Sequence, residues 1–321
     1  MTRVAARAPL LRTLPGRRPL SARSSLLPAR HTVLLVPGNP GVPEYYDGFV
    51  ATLATRLGSG ASVRALGLAG HTAERGAHDA SRRVFSLDEQ LNMVLHAVDA
   101  CPATERVSLV GHSIGSWLAC EAWRRRPTRV SSVVGISPYM ANNTRSKTQA
   151  LLARLCRLRA LVALITAGGA AFHALPRPVR SALFRRPLKA LVGLEDSAVD
   201  VTLSWLRPAS IRNTLLLGEE ELRRLAGPHD WALLESLSPC AAFLFGEPGD
   251  LWAPPHHADA FAERALTVRT DARLPHMFPV TQEGSDIAAG HVAELLCDLE
   301  RAEALRGEQQ HVREACGASV I

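Results

Sequence analysis

The sequence predicts an α/β fold: a mostly parallel sheet flanked by helices, with a helical cap insertion. Three observations predict it. From residue 31 onward, short apolar runs alternate with segments of helical periodicity. Between 139 and 230 the alternation stops, and the text reads as mostly helical with no clear strand. After 240 it resumes and closes on a long helical segment.

The elements follow in order. "TVLLVP" (32–37) is a continuous apolar run of the kind buried on both faces of a sheet. "EYYDGFVATLATRL" (44–57) spaces its apolar residues three and four apart, which predicts a helix. "SVRALGL" (62–68) is a second strand. "SLDEQLNMVLHAVDA" (86–100) opens with Ser86 as N-cap and Glu89 three residues later, a capping box. "RVSLV" (106–110) is a strand, 114–126 a helix and "VSSVVGIS" (130–137) a fourth strand. Beyond the insertion come "CAAFLFG" (240–246), a helix near 255–264, "LTVRT" (266–270) and a last helix across 283–305. Residues 31–305 thus form one domain, with residues 306–321 as a tail.

Charge is uneven along the chain. The formal net charge is +7, yet residues 1–30 alone hold seven arginines and no acid, so the remainder is neutral. The basic balance belongs to the tail and argues against a nucleic-acid partner. An acid-free, arginine- and serine-containing stretch has the composition of an organellar transit peptide. The alternative is a disordered leader or a wrongly assigned start. Six scattered cysteines, without CxxC or CxxH spacing, predict free thiols and no zinc site.

Chemistry enters at "VSLVGHSIGSWLA" (107–119), a G-x-S-x-G pattern between a strand and a helix. A serine on so tight a turn needs small neighbours, which Gly111 and Gly115 supply. Ser113 is then pushed outward as a nucleophile. The backbone N–H of Ile114, at a helix start, faces the developing oxyanion. The partners of such an elbow follow in the order acid, then histidine. "FLFGEPGDLWAP" (243–254) offers Asp250, with Glu247 the weaker choice, and "LPHMF" (274–278) offers His276. His256 and His257 follow the acid too soon, and His291 falls within the last helix. The second oxyanion donor is expected after the first strand, in "VPGNPG" (36–41). Pro40 has no N–H there, so Asn39 is the donor, and Gly38 and Gly41 allow close approach. His71, in the loop after the second strand, either lines the acyl or alcohol pocket or, as a lone loop histidine, is polar surface, and it stays outside the catalytic set.

These segments, together with "LLVPGNPGVPEYYDGF" and "LGLAGHT", resemble the lipid droplet-associated serine hydrolase family, a branch of the α/β-hydrolases. The resemblance implies the α/β-hydrolase fold and Ser113, Asp250 and His276 as the triad. It implies neutral lipid esters, notably cholesteryl esters, as substrates, and a location on lipid droplets and the endoplasmic reticulum. No metal or organic cofactor is implied. The family pattern places leading strands before "HTVLLVPGNPG", where this chain carries its arginine-rich segment.

Residues 122–194 contain fourteen Lys or Arg and no Asp or Glu. Within them "ALVALITAGGAAFHALP" (160–176) is uncharged, flanked by arginines, and interrupted by Gly168-Gly169. It is shorter than the ~20 residues of a spanning helix. Two readings stand: a helix pair dipping into one leaflet, so that 139–190 meets a lipid-droplet or endoplasmic-reticulum surface, or a cap whose apolar face covers the active site. Two further functional readings also stand. One is a non-catalytic lipid-droplet protein on a hydrolase scaffold. The other is a soluble esterase sent to the mitochondrion or plastid by residues 1–30.

Overall fold

The computed structural model describes residues 11–12, 31–71 and 83–317. Apart from Leu11 and Arg12, the leader or transit reading of residues 1–30 falls outside the described residues.

The strands are β1 (Leu11–Arg12), β2 (His31–Val36), β3 (Ala61–Leu66), β4 (Arg106–His112), β5 (Val130–Ile136), β6 (Ala241–Phe245) and β7 (Thr267–Thr270). They lie in the order β1-β3-β2-β4-β5-β6-β7. β1 runs antiparallel to β3, pairing Leu11 with Leu66. The other neighbours are parallel. The arginine-rich segment therefore contributes a short edge strand, which its composition did not predict.

The helices in chain order are α1 (Asp47–Leu57), α2 (Leu87–Asp99), α3 (Ile114–Arg125), α4 (Lys147–Leu155), α5 (Arg159–Ala174), α6 (Arg177–Val192), α7 (Asp196–Trp205), α8 (Pro208–Arg224), α9 (Trp231–Leu237), α10 (Pro255–Glu263) and α11 (Gln282–Gly317). Strand side chains alternate between the two faces, and helices cover both. Leu34 and Val36 join Leu109 and Phe243 in a core with α2, α3, α9 and α10. Val33 and Leu35 join Val110 and Leu244 in a second core with α1 and α11. This double burial is why β2 reads as an unbroken apolar run.

The insertion is helical throughout, from α4 to α9. One expectation within it is corrected. Gly168-Gly169 does not break the apolar run into a pair; α5 is a single helix across it. A Cβ on Gly169 would lie 2.2 Å from Ile211 Cδ1, so this glycine admits α8 against α5. The hairpin turn comes later, at Leu175-Pro176, where Phe172 meets Phe184 edge-on at 4.6 Å. The last helix also passes its expected end at 305 and runs to Gly317. Residues 306–317 contain no proline and are rich in strong helix formers.

Ser86 and Glu89 form the expected capping box at α2. Cys101, Cys120, Cys156, Cys240 and Cys297 are free. No helix among the described residues is long and apolar enough to cross a membrane. Ser86→Ala is expected to destabilise the protein by about 1 kcal/mol, read as a lower urea midpoint at unchanged slope. An unchanged midpoint would show that the cap adds nothing to α2.

Candidate active site

β4 carries the chain to Ser113, whose φ of 53° and ψ of −123° lie outside the ordinary regions. The turn is crowded from both sides. A Cβ on Gly111 would lie 2.4 Å from Gly115 O and Ser116 Cα. A Cβ on Gly115 would lie 2.1 Å from Val36 O, the end of the neighbouring strand. Only glycine fits at either position, so the strand can reverse directly into α3. Ile114 is the first residue of α3, and its N–H has no acceptor within the helix.

Asp250 sits on the turn after β6, 4% exposed. One carboxylate oxygen accepts from the N–H groups of Trp252 (2.8 Å) and Ala253 (3.0 Å). The other lies 2.8 Å from His276 Nδ1. Burial alone would raise its pKa, but the bonds from His276, Ala253 and Trp252 outweigh burial and hold it below the usual range. An ionised partner at Nδ1 fixes that proton on Nδ1 and leaves Nε2 as the basic nitrogen. Glu247, the weaker acid of the sequence reading, serves the backbone instead: its Oε1 accepts from the His276 N–H at 3.1 Å.

His112, beside Ser113, links these parts. Its Nε2 lies 2.9 Å from the His276 carbonyl, which can only accept, so Nε2 carries the proton. Burial, aided by neighbouring His276, lowers its pKa to about 3 and keeps the ring neutral. Nδ1 therefore accepts from the Tyr46 hydroxyl at 2.7 Å. Tyr46 Oη in turn accepts from the Gly38 N–H at 3.0 Å. The chain of bonds ties the loop after β2 to the elbow and the elbow to the histidine loop. The ring centroids of His112 and His276 are 5.2 Å apart. Neither Tyr46 nor His112 was identified from the sequence; their only signal was an aromatic after "PGNPG" and the histidine of "GHSIG".

The loop after β2 leaves one donor open. Gly38 bonds Tyr46, Gly41 N–H donates to His71 Nδ1 (3.2 Å), and Pro40 has no N–H. The Asn39 N–H has no hydrogen-bond partner among the described residues. The Asn39 side chain ties the loop to the cap, its Nδ2 donating to Thr214 O on α8 at 3.0 Å. His71 is corrected here: it is fully buried, not surface, with a pKa lowered by burial to about 3. It braces Gly41 and faces Thr214 Oγ1 at 3.3 Å. Glu221, on α8, is 5% exposed, and its Oε1 has no hydrogen-bond partner among the described residues. Burial pushes its carboxyl up to about 8, and neighbouring Glu220 adds to the rise.

His256 and His257 lie on α10, where His257 packs against His229 at 4.6 Å on the core side. His291 on α11 meets Asp271 at 2.9 Å. Among the described residues no group of His, Cys, Asp or Glu is arranged to hold a metal ion.

Comparison with known proteins adds to this geometry. A family model described as lipid-droplet associated hydrolase matches residues 29–279. The chain is 24% identical over 277 residues to lipid droplet-associated hydrolase of Homo sapiens, covering 80% of this chain and 83% of that one. It is 23% identical over 237 residues to the Gallus gallus protein of the same name, covering 70% and 72%. Among solved structures, it is similar to a putative ancestral haloalkane dehalogenase (TM-score 0.58, 18% identity, 85% of this chain and 93% of that chain). It is also similar to a thermophilic esterase from Thermogutta terrifontis (TM-score 0.54, 18% identity, 85% and 91%). At such identity the structures speak for the fold, which is the α/β-hydrolase fold.

Glu221 gives a stability test. Its folded pKa of about 8 lies above its ordinary value of 4.5, so the folded state holds a proton that the unfolded chain releases. Its contribution is full below 4.5 and is lost as pH rises through about 8. Glu221→Gln should therefore gain stability relative to the parent between pH 5 and pH 9, as read by denaturant midpoints. A parallel pair of curves would contradict the neutral acid.

Proposed function

The chain belongs to the lipid-droplet associated hydrolase family, and from that premise we propose that it is a serine ester hydrolase acting on neutral lipid esters of the cholesteryl ester or acylglycerol type. The observation that carries this reading is buried Asp250 lying 2.8 Å from His276 Nδ1, with the loop of His276 clasped to the Ser113 elbow by His112.

Ser113 Oγ attacks the ester carbonyl carbon while His276 Nε2 takes its proton. Asp250 orients the imidazole and stabilises its positive charge. The carbonyl oxygen becomes an oxyanion held by the N–H groups of Asn39 and Ile114. As the tetrahedral species collapses, His276 gives the proton to the leaving alcohol and an acyl-Ser113 remains. Water, deprotonated by His276, attacks that acyl carbon, and a second collapse frees the carboxylic acid and returns the proton to Ser113.

The lipid surface is the second part of the proposal. α6 has no buried residue, and its Leu183 and Leu191 are 54% and 85% exposed. On α5, Leu164 is 69% exposed. An apolar hairpin left uncovered and ringed by arginines fits the interfacial plane of a lipid-droplet or endoplasmic-reticulum surface. The relatives named above carry lipid-droplet association in their names, which supports the same location.

Hydrolysis of a panel of cholesteryl esters, triacylglycerols and short-chain esters tests the activity. The parent protein is expected to cleave one class of long-chain neutral ester, with Ser113→Ala reduced by about 10³-fold or more. Equal rates in the two proteins would refute the assignment.

A further inference from the structure

The cap contains a cavity of about 610 Å³ away from the elbow, between α5, α6 and α7. That is within the ~300–1,000 Å³ of small-molecule sites. His173, Arg177, Arg180, Arg185 and Arg207 line it, against the one lining carboxylate, Asp200. Arg185 is held at the wall by Asp196 and Asp200, at 2.8 and 2.5 Å. Arg180 is different. One of its terminal nitrogens reaches His173 Nδ1 (3.1 Å) and the Leu203 carbonyl (3.4 Å), and its guanidinium lies 5.8 Å over the Phe172 ring. Its Nε is buried and has no hydrogen-bond partner. A guanidinium fixed by its surroundings at the wall of a cavity offers its remaining N–H groups to an oxygen acceptor. Arg177 stands one helical turn before it on the same wall.

From this arrangement we infer that the cavity binds a phosphate ester, with Arg177 and Arg180 donating to its oxygens. Arginine suits this role because its planar fork matches phosphate oxygens in pairs. Two sources share the chemistry: the headgroup of an anionic phospholipid, and a soluble phosphate ester. The first fits the neighbouring surface, since Val179 and Leu183 on α6 are 41% and 54% exposed and would lie against acyl chains. The site uses none of Ser113, Asp250 or His276 and stands or falls separately from the catalytic reading.

The test uses the full chain in three arms: phosphatidylcholine vesicles, the same vesicles with phosphatidic acid, and sn-glycerol 3-phosphate in solution. For a lipid source, phosphatidic acid is expected to tighten vesicle binding by about tenfold or more, the scale of a few basic contacts at an anionic surface. Arg177→Gln/Arg180→Gln should lose that gain and keep its binding to phosphatidylcholine vesicles. For a soluble source, the parent binds glycerol phosphate and the double variant does not. Arg154→Gln/Arg157→Gln, which alters arginines outside the cavity, should leave either response in place. Arg177→Gln alone, at an exposed position, gives a partial loss if the double variant fails to fold. The inference is overturned if the parent responds to neither phosphate, if the cavity variants respond as the parent does, or if the outside pair abolishes the response equally.

Discussion

The bond from His112 to the His276 carbonyl is the constraint on which the site's arrangement depends. It joins two loops that the chain builds far apart, one after β4 and one after β7. Tyr46 and Gly38 extend it to a third loop, after β2. The bonds run in one direction only because His112 is buried and neutral. A protonated His112 could not accept from Tyr46, and the loop carrying Asn39 would lose its tie to the elbow. Three loops from three strands are thus registered by one uncharged ring.

The second constraint is steric. Gly111 and Gly115 remove the Cβ atoms that would collide with α3 and with the end of β2. Their absence lets α3 start immediately at the end of β4, with Ile114 as its first residue directly after Ser113. The sheet beneath is covered on both sides by large apolar cores, which fixes the strand ends from which these loops spring. Rigidity at the strand ends is what allows the turns themselves to hold unusual backbone angles.

Much of this was legible in the sequence because the signals were local. β2, β4, β5 and β6 read as apolar runs since both faces are buried, and the capping box lies within four residues. The elbow was visible because glycine, serine and glycine sit together between a strand and a helix. The placement of Asp250 and His276 followed from strand order. What stayed hidden depends on contacts distant in sequence. Nothing near Gly169 tells that it faces Ile211, so the glycine pair read as a break. Nothing in "LGEEEL" separates the buried Glu221 from Glu219 and Glu220. His71 read as surface because its partners, Gly41 and Thr214, come from elsewhere in the chain. The pairing of Leu11 with Leu66 is equally non-local.

The fold and family membership leave the identity of the nucleophile as the central claim. It is tested most directly by treating the full chain with a fluorophosphonate and mapping the adduct by peptide mass spectrometry. A single adduct on Ser113 is expected, with labelling strongly slowed by His276→Ala. An adduct on another serine, or labelling of Ser113 that does not depend on His276, would contradict the account.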